Sequence, residues 1–310
     1  MSTIALCIPA YNAAWCLPRL LKSAKNQLKP FDEILVYNDC STDETEKVAI
    51  KYGATVVNGL ENKGCSFGKN KLAEIAKSDW IHFHDADDEL LPNFITTMKP
   101  WMQLSEKLDI LLLNFEYKDF ATCKTLGHAN YHRESLLAES MNFILTHKIV
   151  NFALVKRKSF IKIGGFVTDQ NVLYNEDRAF YCKAAINNLL FDYENTITCI
   201  NYRYDQSMSA SNKLKCTYAY HHVSLYLYQN LDKKYHKELA INFWNNAKIA
   251  ASFQDWDLTK NSIKYAKLLD NNLTDVKLPF KILFFINPFF AFWLREKLIR
   301  FFKPNLREDG

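Results

Sequence analysis

Three carboxylates stand close together in the sequence, where Asp85, Asp87 and Asp88 follow a run of alternating large and polar side chains from Trp80 to His84. Such alternation is typical of a strand. If the extended segment continues, Asp85 and Asp87 point to one side and can meet the same cation. Carboxylate oxygens suit Mg²⁺ or Mn²⁺, and these ions commonly accompany a diphosphate. The alternative is an acidic turn that caps the next helix.

The segments before this acidic run alternate between strand-like and helix-like patterns. Short apolar runs at residues 3–8, 33–37 and 55–57 are typical of strands, and the segments between them repeat apolar residues at helical spacing. This alternation predicts an α/β fold, with a mostly parallel sheet and helices on both faces. Ligands bind beyond the carboxyl ends of such strands, where Asn38, Asp39 and the acidic run all fall. Two acidic groups at one rim favour a binding site over a simple turn.

After the fourth predicted strand the alternation loosens. Residues 191–204 indicate two strands broken near residues 194–195, and residues 216–269 are rich in helical spacing. We therefore predict a first domain over residues 1–210 and a small C-terminal helical segment over residues 211–310.

The last part of this segment, residues 278–303, combines many aromatic side chains with basic ones. Residues 277–310 contain seven Lys or Arg and three acids, so most of the net charge of +5 lies there. The apolar run at residues 282–294 is shorter than the roughly 20 residues that a spanning helix needs. The pattern favours an amphipathic segment that lies in a membrane interface. The alternative is a terminal helix docked on the core with its basic face in water.

The composition indicates a packed globular protein in a reducing compartment. The chain has 310 residues, of which 48% are hydrophobic. Its eight cysteines are scattered without a C-x-x-C pair, which argues against a zinc ribbon or a disulfide scaffold. The first residues lack a basic stretch followed by an apolar one, so they predict a strand and not a signal peptide. We expect a cytoplasmic protein with no nucleic-acid partner.

The motifs and their order resemble those of the family 2 glycosyltransferases, which have the Rossmann-like GT-A fold. The matching pieces are IPAYN, ILVYNDCSTDET, the stretch from ENKG to DADD, GGF and NED, at residues 8–12, 34–45, 61–88, 164–166 and 175–177. Together they cover about residues 3–205, and the set is more specific than any single piece. The resemblance implies an inverting transfer of a sugar from a nucleotide diphosphate sugar, assisted by Mn²⁺ or Mg²⁺.

The resemblance also implies roles for individual residues. Asp39 matches the carboxylate that contacts the uracil ring. Asp85 and Asp87 match the D-x-D motif, with Asp87 as metal ligand and Asp85 as ribose or metal contact. Asp177 matches the catalytic base, with Glu176 beside it. The nucleotide-sugar-binding residues are then Pro9, Ala10, Tyr11, Asn12, Asp39, Lys69, Asp85, Ala86 and Arg203.

These acidic groups would act at opposite ends of the broken bond. Inversion needs one base to deprotonate the incoming hydroxyl on the face opposite the leaving group, and Asp177 can serve. A metal on Asp85 and Asp87 can stabilise the charge that grows on the leaving nucleoside diphosphate. The alternative for residues 175–177 is an ordinary acidic helix start.

The chain departs from the family pattern at Lys69-Asn70, where Arg-Asn is common. Lysine keeps the charge but loses the planar fork of arginine, which weakens the expected nucleotide contact. No Q-x-x-R-W motif follows Asp177, which argues against a processive polysaccharide synthase. His82 and His84 precede the acidic run and are predicted to pack between layers, with metal ligation as the alternative.

The sequence thus predicts transfer of a hexosyl or N-acetylhexosaminyl group from a UDP-sugar to a hydroxyl of a glycan or lipid-linked acceptor. The expected setting is synthesis of a cell-surface polysaccharide or lipopolysaccharide at the inner face of the cell membrane. An alternative is a non-catalytic nucleotide-sugar or glycan-binding module on the same fold. A nucleotidyltransferase is disfavoured because the IPAYNAAW segment has no Gly-rich, basic phosphate loop.

Overall fold

The structure, a computed structural model, describes residues 2–104, 107–204, 208–270 and 278–307, except for the side chains of residues 104, 208–209 and 278–281. The described residues of the chain divide into two compact units. The first lies within Met1–Ile144, Lys148–Thr168 and Glu176–Ser207, and the second lies within Leu145–His147, Asp169–Asn175 and Met208–Gly310. The second unit therefore takes two short stretches that the sequence prediction assigned to the first domain.

The first unit is built on a single sheet formed by strands of the described residues. These strands are β1 (Ile4–Ala10), β2 (Glu33–Asn38), β3 (Thr55–Asn58), β4 (Trp80–Phe83), β5 (Glu89–Leu90), β6 (Ile110–Asp119), β7 (Thr125–His128), β8 (Ala153–Lys156) and β9 (Phe191–Arg203). They lie in the order β3-β2-β1-β4-β8-β6-β9-β5, with β7 beside β6. The pairs among β1 to β4 are parallel, as is β6 with β9, whereas β8 runs antiparallel to its neighbours β4 and β6.

Helices follow the strands of this sheet. They are α1 (Leu17–Lys25), α2 (Thr45–Lys51), α3 (Cys65–Ile75), α4 (Phe94–Leu104), α5 (Arg133–Ala138), α6 (Ser140–Thr146), α7 (Arg157–Lys162) and α8 (Glu176–Ile186). Strand β1 is buried along its whole length, because its neighbours and the helices leave no face open to water. Apolar residues of β1 and α1 pack in one core with residues of β4 and α4, such as Ile4, Leu20, Trp80 and Phe94.

The parallel register brings several loop residues to one edge of the sheet. Ala10 lies opposite Asn38, and Cys7 lies opposite Phe83, so β1, β2 and β4 all end at the same rim. The residues that follow these strands are those that carry the sequence motifs. This confirms the predicted α/β sheet and the predicted common rim.

Two local predictions were wrong. The strand before the acidic run ends at Phe83, and the run itself forms a turn in which the Asp88 amide donates to the Asp85 carbonyl at 3.2 Å. The extended geometry expected for Asp85 and Asp87 is therefore absent, because the chain must turn back into β5 after four residues of β4. Residues 191–203 form one strand, and the predicted break is a register irregularity, where Asn114 of β6 pairs with Ile197.

The second unit is helical. Its helices are α9 (Met208–Ser211), α10 (Lys213–Asn230), α11 (His236–Ser252), α12 (Trp256–Leu269), α13 (Leu278–Ile286) and α14 (Pro288–Phe302). Small buried residues on α11, such as Ala247 and Ala250, let neighbouring helices approach closely, and the Phe243 ring stacks on Tyr265 of α12 at 5.4 Å. Across the described ranges of the chain, none of the helices combines the length and the apolar character that crossing a membrane requires.

Candidate active site

The first part of the rim is the turn after β1. Pro9 and Ala10 are buried at the end of the strand, whereas Tyr11 is half exposed. Asn12 has a positive φ of 47°, and its side-chain oxygen accepts the Thr42 amide at 2.8 Å. The turn is thereby tied to the loop after β2, which leaves the Tyr11 ring at the surface, where a planar ligand can reach it.

Asp39 follows β2 and is almost fully buried. Its two carboxylate oxygens accept the backbone amides of Lys63 and Gly64 at 2.9 and 2.7 Å. Gly64 has a φ of 86°, a conformation that glycine adopts without strain. Asp39 therefore fixes the loop that leads into α3, and each of its oxygens keeps a further lone pair for another donor.

The acidic turn after β4 holds carboxylates in different degrees of burial. Asp85 keeps 41% of its side chain exposed and accepts a hydrogen bond from the side-chain amide of Asn151 at 3.3 Å, while Asp88 is buried. Ala86 is buried between Asp85 and Asp87 at the tip of the turn. Burial raises the pKa of Asp87 and Asp88, and the neighbouring carboxylates raise both further. A cation at this turn would relieve that repulsion.

Oxygen ligands and excess negative charge are what a hard divalent cation requires. Asp87 is partly exposed, and Asp85 is more open, so both have oxygens at the rim that an ion can reach. The donor set at this turn fits Mn²⁺ or Mg²⁺. Asp88 is not suited to this role, because it is buried at 2% exposure and its two oxygens accept the Asn201 side-chain amide and the Tyr202 backbone amide, both at 2.8 Å.

Asp177 lies in the first turn of α8 beside Glu176, where the helix dipole favours negative charge. Its carboxylate is 3.9 Å from the ammonium group of Lys69, and that ammonium is 3.4 Å from Asp85. Loss of water raises the pKa of Asp177 to about 7, against the opposing effect of Lys69, although 32% of its side chain stays exposed. A carboxyl with such a pKa can accept a proton near neutral pH.

Lys69 is almost fully buried, and it joins the two acidic groups of the rim. Burial opposes its charge, but Asp85 and Asp177 outweigh that effect and raise the pKa of the ammonium group. The sequence predicted a nucleotide contact here. The structure places the ammonium between the carboxylates and 5.0 Å from the centre of the Phe166 ring. The nucleotide contact stays a prediction.

The GGF motif and Asn70 hold Lys69 in place. The Asn70 side chain accepts the Phe166 amide at 2.8 Å and donates to the Phe166 carbonyl at 2.9 Å. Gly165 has a φ of 56°, and a Cβ atom there would collide with the Asn70 side chain. Only glycine allows this approach, so the motif serves to fasten α3 to the segment that follows α7.

Arg203, at the end of β9, does not meet the acidic turn through any described contact. Its guanidinium packs 4.4 Å above the Tyr117 ring. Sequence reasoning missed Arg19, whose guanidinium lies 4.5 Å from the Phe120 ring and lowers the pKa of Asp87 against the larger effect of burial. Nothing in its spacing within α1 distinguishes Arg19 from a surface residue.

His82 and His84 are fully buried in the sheet, as predicted. The Nδ1 atom of His82 donates to the Ala153 carbonyl at 2.9 Å, and the two imidazoles share a hydrogen bond at 2.8 Å. The Cys199 sulfur lies 4.0 Å from His82, so these three side chains are close enough to surround a metal ion. Burial lowers the pKa of His82 to about 4. The hydrogen bond between His82 and His84 explains the contact between the two imidazoles without a metal ion.

A sequence profile described as Glycosyl transferase family 2 matches residues 5–164. An uncharacterized glycosyltransferase of Haemophilus influenzae is 24% identical over 181 residues, which cover 56% of this chain and 60% of that protein. One from Rickettsia prowazekii is 26% identical over 220 residues, which cover 68% of each. The chain thus matches less than two thirds of the Haemophilus protein.

Two solved structures share the architecture. Residues 1–349 of Staphylococcus aureus TarS in complex with UDP-GlcNAc superpose with a TM-score of 0.71, at 16% identity, over 96% of this chain and 91% of that one. A Pyrobaculum calidifontis mannosyltransferase in complex with GDP-Man and Mn²⁺ gives a TM-score of 0.60, at 14% identity, over 96% and 87%. At this level of identity the likeness concerns the fold alone, which is the predicted GT-A fold.

Proposed function

Because the chain belongs to glycosyl transferase family 2, we propose that it transfers a sugar from a UDP-sugar to a hydroxyl of a glycan or lipid-linked acceptor, with inversion. The observation that carries this proposal is the shared ammonium of Lys69, which lies within 4 Å of both Asp85 and Asp177. One of these carboxylates belongs to a turn suited to a cation, and the other has a pKa of about 7. They supply the two functions that inverting transfer needs.

In the proposed reaction, the Asp177 carboxylate accepts the proton of the acceptor hydroxyl. The acceptor oxygen forms a bond to the anomeric carbon, and the bond from that carbon to the diphosphate oxygen breaks. The nucleoside diphosphate leaves with the bonding electron pair. Asp87 and Asp85 would hold Mn²⁺ or Mg²⁺, which supplies a positive charge that stabilises the leaving diphosphate.

The choice of donor rests on two observations. Structures of the same fold contain UDP-GlcNAc in one case and GDP-Man in another, which supports a nucleotide-sugar donor. The half-exposed Tyr11 ring and the buried Asp39 carboxylate lie in neighbouring turns, as the base-contacting positions of a UDP-sugar site would. We propose a hexosyl or N-acetylhexosaminyl donor and a role in cell-surface polysaccharide or lipopolysaccharide synthesis.

The first experiment is a donor screen with the purified full chain. It uses a panel of UDP-, GDP- and dTDP-sugars with Mn²⁺ or EDTA, and it compares the wild type with Asp87→Ala and Asp177→Asn. Metal-dependent hydrolysis of one UDP-sugar that both variants lose would support the proposal. Nucleotide binding without turnover, even with acceptor glycans added, would favour a non-catalytic binding module.

We also propose that the C-terminal segment, residues 278–303, rests on the inner face of the cell membrane. Large apolar side chains of the second unit are exposed there by 36% to 84%: Ile282, Phe285, Ile286, Phe290, Trp293, Leu298, Phe301 and Phe302. Helix α14 buries Ala291 and Phe292, as a docked helix does, but the side chains that it leaves exposed are those that an interfacial helix would insert among lipids.

The charges of this surface also suit a lipid headgroup region. Arg295 and Arg307 pair with the buried Glu296, whereas Lys297 and Lys303 are exposed beside the apolar side chains. Lys297 lies 5.8 Å from the Trp293 ring, a combination that is common at membrane interfaces. Because two of the basic side chains are engaged within the protein, insertion of apolar groups would dominate over charge attraction.

A flotation assay with vesicles tests this part. We expect the full chain to bind neutral phosphatidylcholine vesicles and to bind more strongly when phosphatidylglycerol is added. The double variant Phe285→Ser/Phe301→Ser should lose binding to both, whereas Lys297→Gln/Lys303→Gln should lose only the gain from the anionic lipid. Flotation of the first variant at the wild-type level would contradict membrane insertion.

A further inference from the structure

The end of β9 holds the acidic turn at three successive residues. Asp88 accepts the amide of Tyr202, and the Tyr202 hydroxyl donates to Glu89 at 2.7 Å. The Tyr204 hydroxyl donates to the Oδ2 atom of Asp87 at 2.5 Å. Two phenols that stand two residues apart thus bind two different carboxylates, and only one of these is a proposed metal ligand.

The ring of Tyr204 is itself held by aromatic neighbours. The Trp15 ring lies 5.9 Å away, nearly perpendicular to it, and the Phe120 ring lies 5.6 Å away. Trp15 and Phe120 also contact each other at 5.6 Å, and Arg19 stacks on Phe120. Since perpendicular aromatic contacts are favourable, this cluster restricts the rotation of the phenol.

We propose that Tyr204 is a positioning residue for the divalent cation, because its hydrogen bond to Oδ2 holds the Asp87 carboxylate in one orientation and leaves Oδ1 as the atom that would bind the ion. This inference rests on the proposed role of Asp87 as a metal ligand. A carboxylate at a turn can rotate, and binding a metal must then fix it. A hydrogen bond from a phenol that contacts two aromatic rings holds the carboxylate in place before the ion binds.

The size of the expected effect follows from other metal sites. Removal of a group that hydrogen-bonds to a metal ligand typically weakens metal binding by about 10- to 100-fold. The hydroxyl group alone carries this role in Tyr204, since phenylalanine would preserve the ring and its contacts with Trp15 and Phe120. If the phenol instead competed with the ion for Asp87, removal of its hydroxyl would strengthen metal binding. The two roles therefore predict changes in the Kd of opposite sign.

The test is a titration of the full chain with Mn²⁺ in the presence of UDP, in which the free-ion signal is followed by electron paramagnetic resonance. Tyr204→Phe is compared with Tyr202→Phe, a matched control that removes a phenol hydroxyl from the same strand end but not from Asp87. We expect Tyr204→Phe to raise the Kd for Mn²⁺ by about 10- to 100-fold. Tyr202→Phe should leave the Kd near the wild-type value, and thermal unfolding should confirm that both variants are folded.

Three results would decide differently. An unchanged or lower Kd in Tyr204→Phe would overturn the positioning role while leaving the metal site intact. Equal weakening in both phenol variants would also overturn it, because the effect would then come from the strand end as a whole. If the wild type binds no Mn²⁺, the metal part of the proposed function fails, and this inference fails with it.

Trp15→Ala offers a second variant, in which Tyr204 keeps its hydroxyl but its ring loses one aromatic contact. We expect a smaller rise in the Kd for Mn²⁺ in this variant.

Discussion

The acidic turn after β4 and the first turn of α8 present the same kind of side chain in two different settings. In the turn, Asp87 and Asp88 lie beside Asp85, and hydrogen bonds from the end of β9 hold them together. At the start of α8, Asp177 has a lysine ammonium 3.9 Å away. Both settings share the Lys69 ammonium, which is 3.4 Å from Asp85, but the turn gathers three carboxylates and keeps an excess of negative charge.

This difference explains how one rim can do two jobs. Gathered carboxylates favour an added cation, because the ion relieves their repulsion. The Asp177 carboxylate, whose pKa is about 7, can instead exchange a proton near neutral pH. The ammonium of the buried Lys69 lies between the two settings, 3.4 Å from Asp85 and 3.9 Å from Asp177. It therefore separates the proposed metal site from the proposed base.

The largest effect should come from Asp177→Asn, which removes the proton acceptor and keeps the shape of the side chain. We expect kcat to fall by about 10²- to 10⁴-fold, which is the usual contribution of a general base. The Kd values for UDP and Mn²⁺ should stay near those of the wild type, whereas Asp87→Asn should weaken Mn²⁺ binding. If Asp177→Asn weakened Mn²⁺ binding as much as Asp87→Asn, the two settings would not be separate.

A smaller effect is expected from Lys69→Met, which removes the cation that both settings share. Without it, the pKa of Asp177 should rise above 7, because Lys69 now lowers it. Less of the carboxylate is then ionised at neutral pH, and a pKa higher by about one would reduce the rate about tenfold under acidic conditions. The rate should recover at higher pH, which distinguishes a changed pKa from general damage to the site.

The control for this prediction is Lys71→Met, two residues further along α3. Lys71 has 41% of its side chain exposed and pairs with Glu74, so its removal should leave the pH profile unchanged. Lys69→Arg keeps the charge and should preserve most of the activity, within the space that the Asn70 and Phe166 contacts allow. An identical pH profile in Lys69→Met and the wild type would mean that Lys69 does not tune Asp177.

The sequence predicts the sheet and its rim because both depend on local patterns. Alternating strands and helices determine a parallel sheet, and strand ends then fall at one edge. For this reason Asp39, Asp85 and Asp87 could be placed at the rim without a structure. The fold class and the family are confirmed, while the individual roles of these residues stay predictions.

What the sequence could not predict depends on contacts between distant residues. Lys69 meets Asp177 across 108 positions, and Tyr204 meets Asp87 across 117. No spacing rule links such pairs. The turn at residues 85–88 was not predicted for a related reason. The acidic run continues the alternating pattern of β4, and this local pattern does not indicate that the chain reverses there to form β5.

A third prediction concerns the wild type itself. With a pKa of about 7, the Asp177 carboxyl is mostly protonated at pH 6 and mostly ionised at pH 8. Because the base must be ionised to accept a proton, kcat/KM should rise about tenfold over this range and then level off. A flat profile from pH 6 to pH 8, measured with saturating Mn²⁺, would show that Asp177 does not limit the rate.

The smallest expected effect concerns stability, and its sign is opposite to that of the rate. Burial raises the pKa of Asp177 above its ordinary value near 3.8, so the folded state binds this proton more tightly than the unfolded state does. The resulting stabilisation is complete below pH 3.8 and is lost as the pH rises through about 7. The base therefore becomes active over the same pH range in which it destabilises the fold.

The pKa values of Asp87 and Asp88 are also raised, but the wild type and the Asp177→Asn variant both retain these residues. A comparison of the two proteins therefore isolates the contribution of Asp177 to the pH dependence of stability. We expect the unfolding temperature of the wild type to fall more steeply between pH 5 and pH 8 than that of the variant. The two curves can be compared by differential scanning calorimetry without metal or nucleotide. Parallel curves would mean that Lys69 fully compensates the charge of Asp177, and the two carboxylate settings would then differ in geometry but not in protonation.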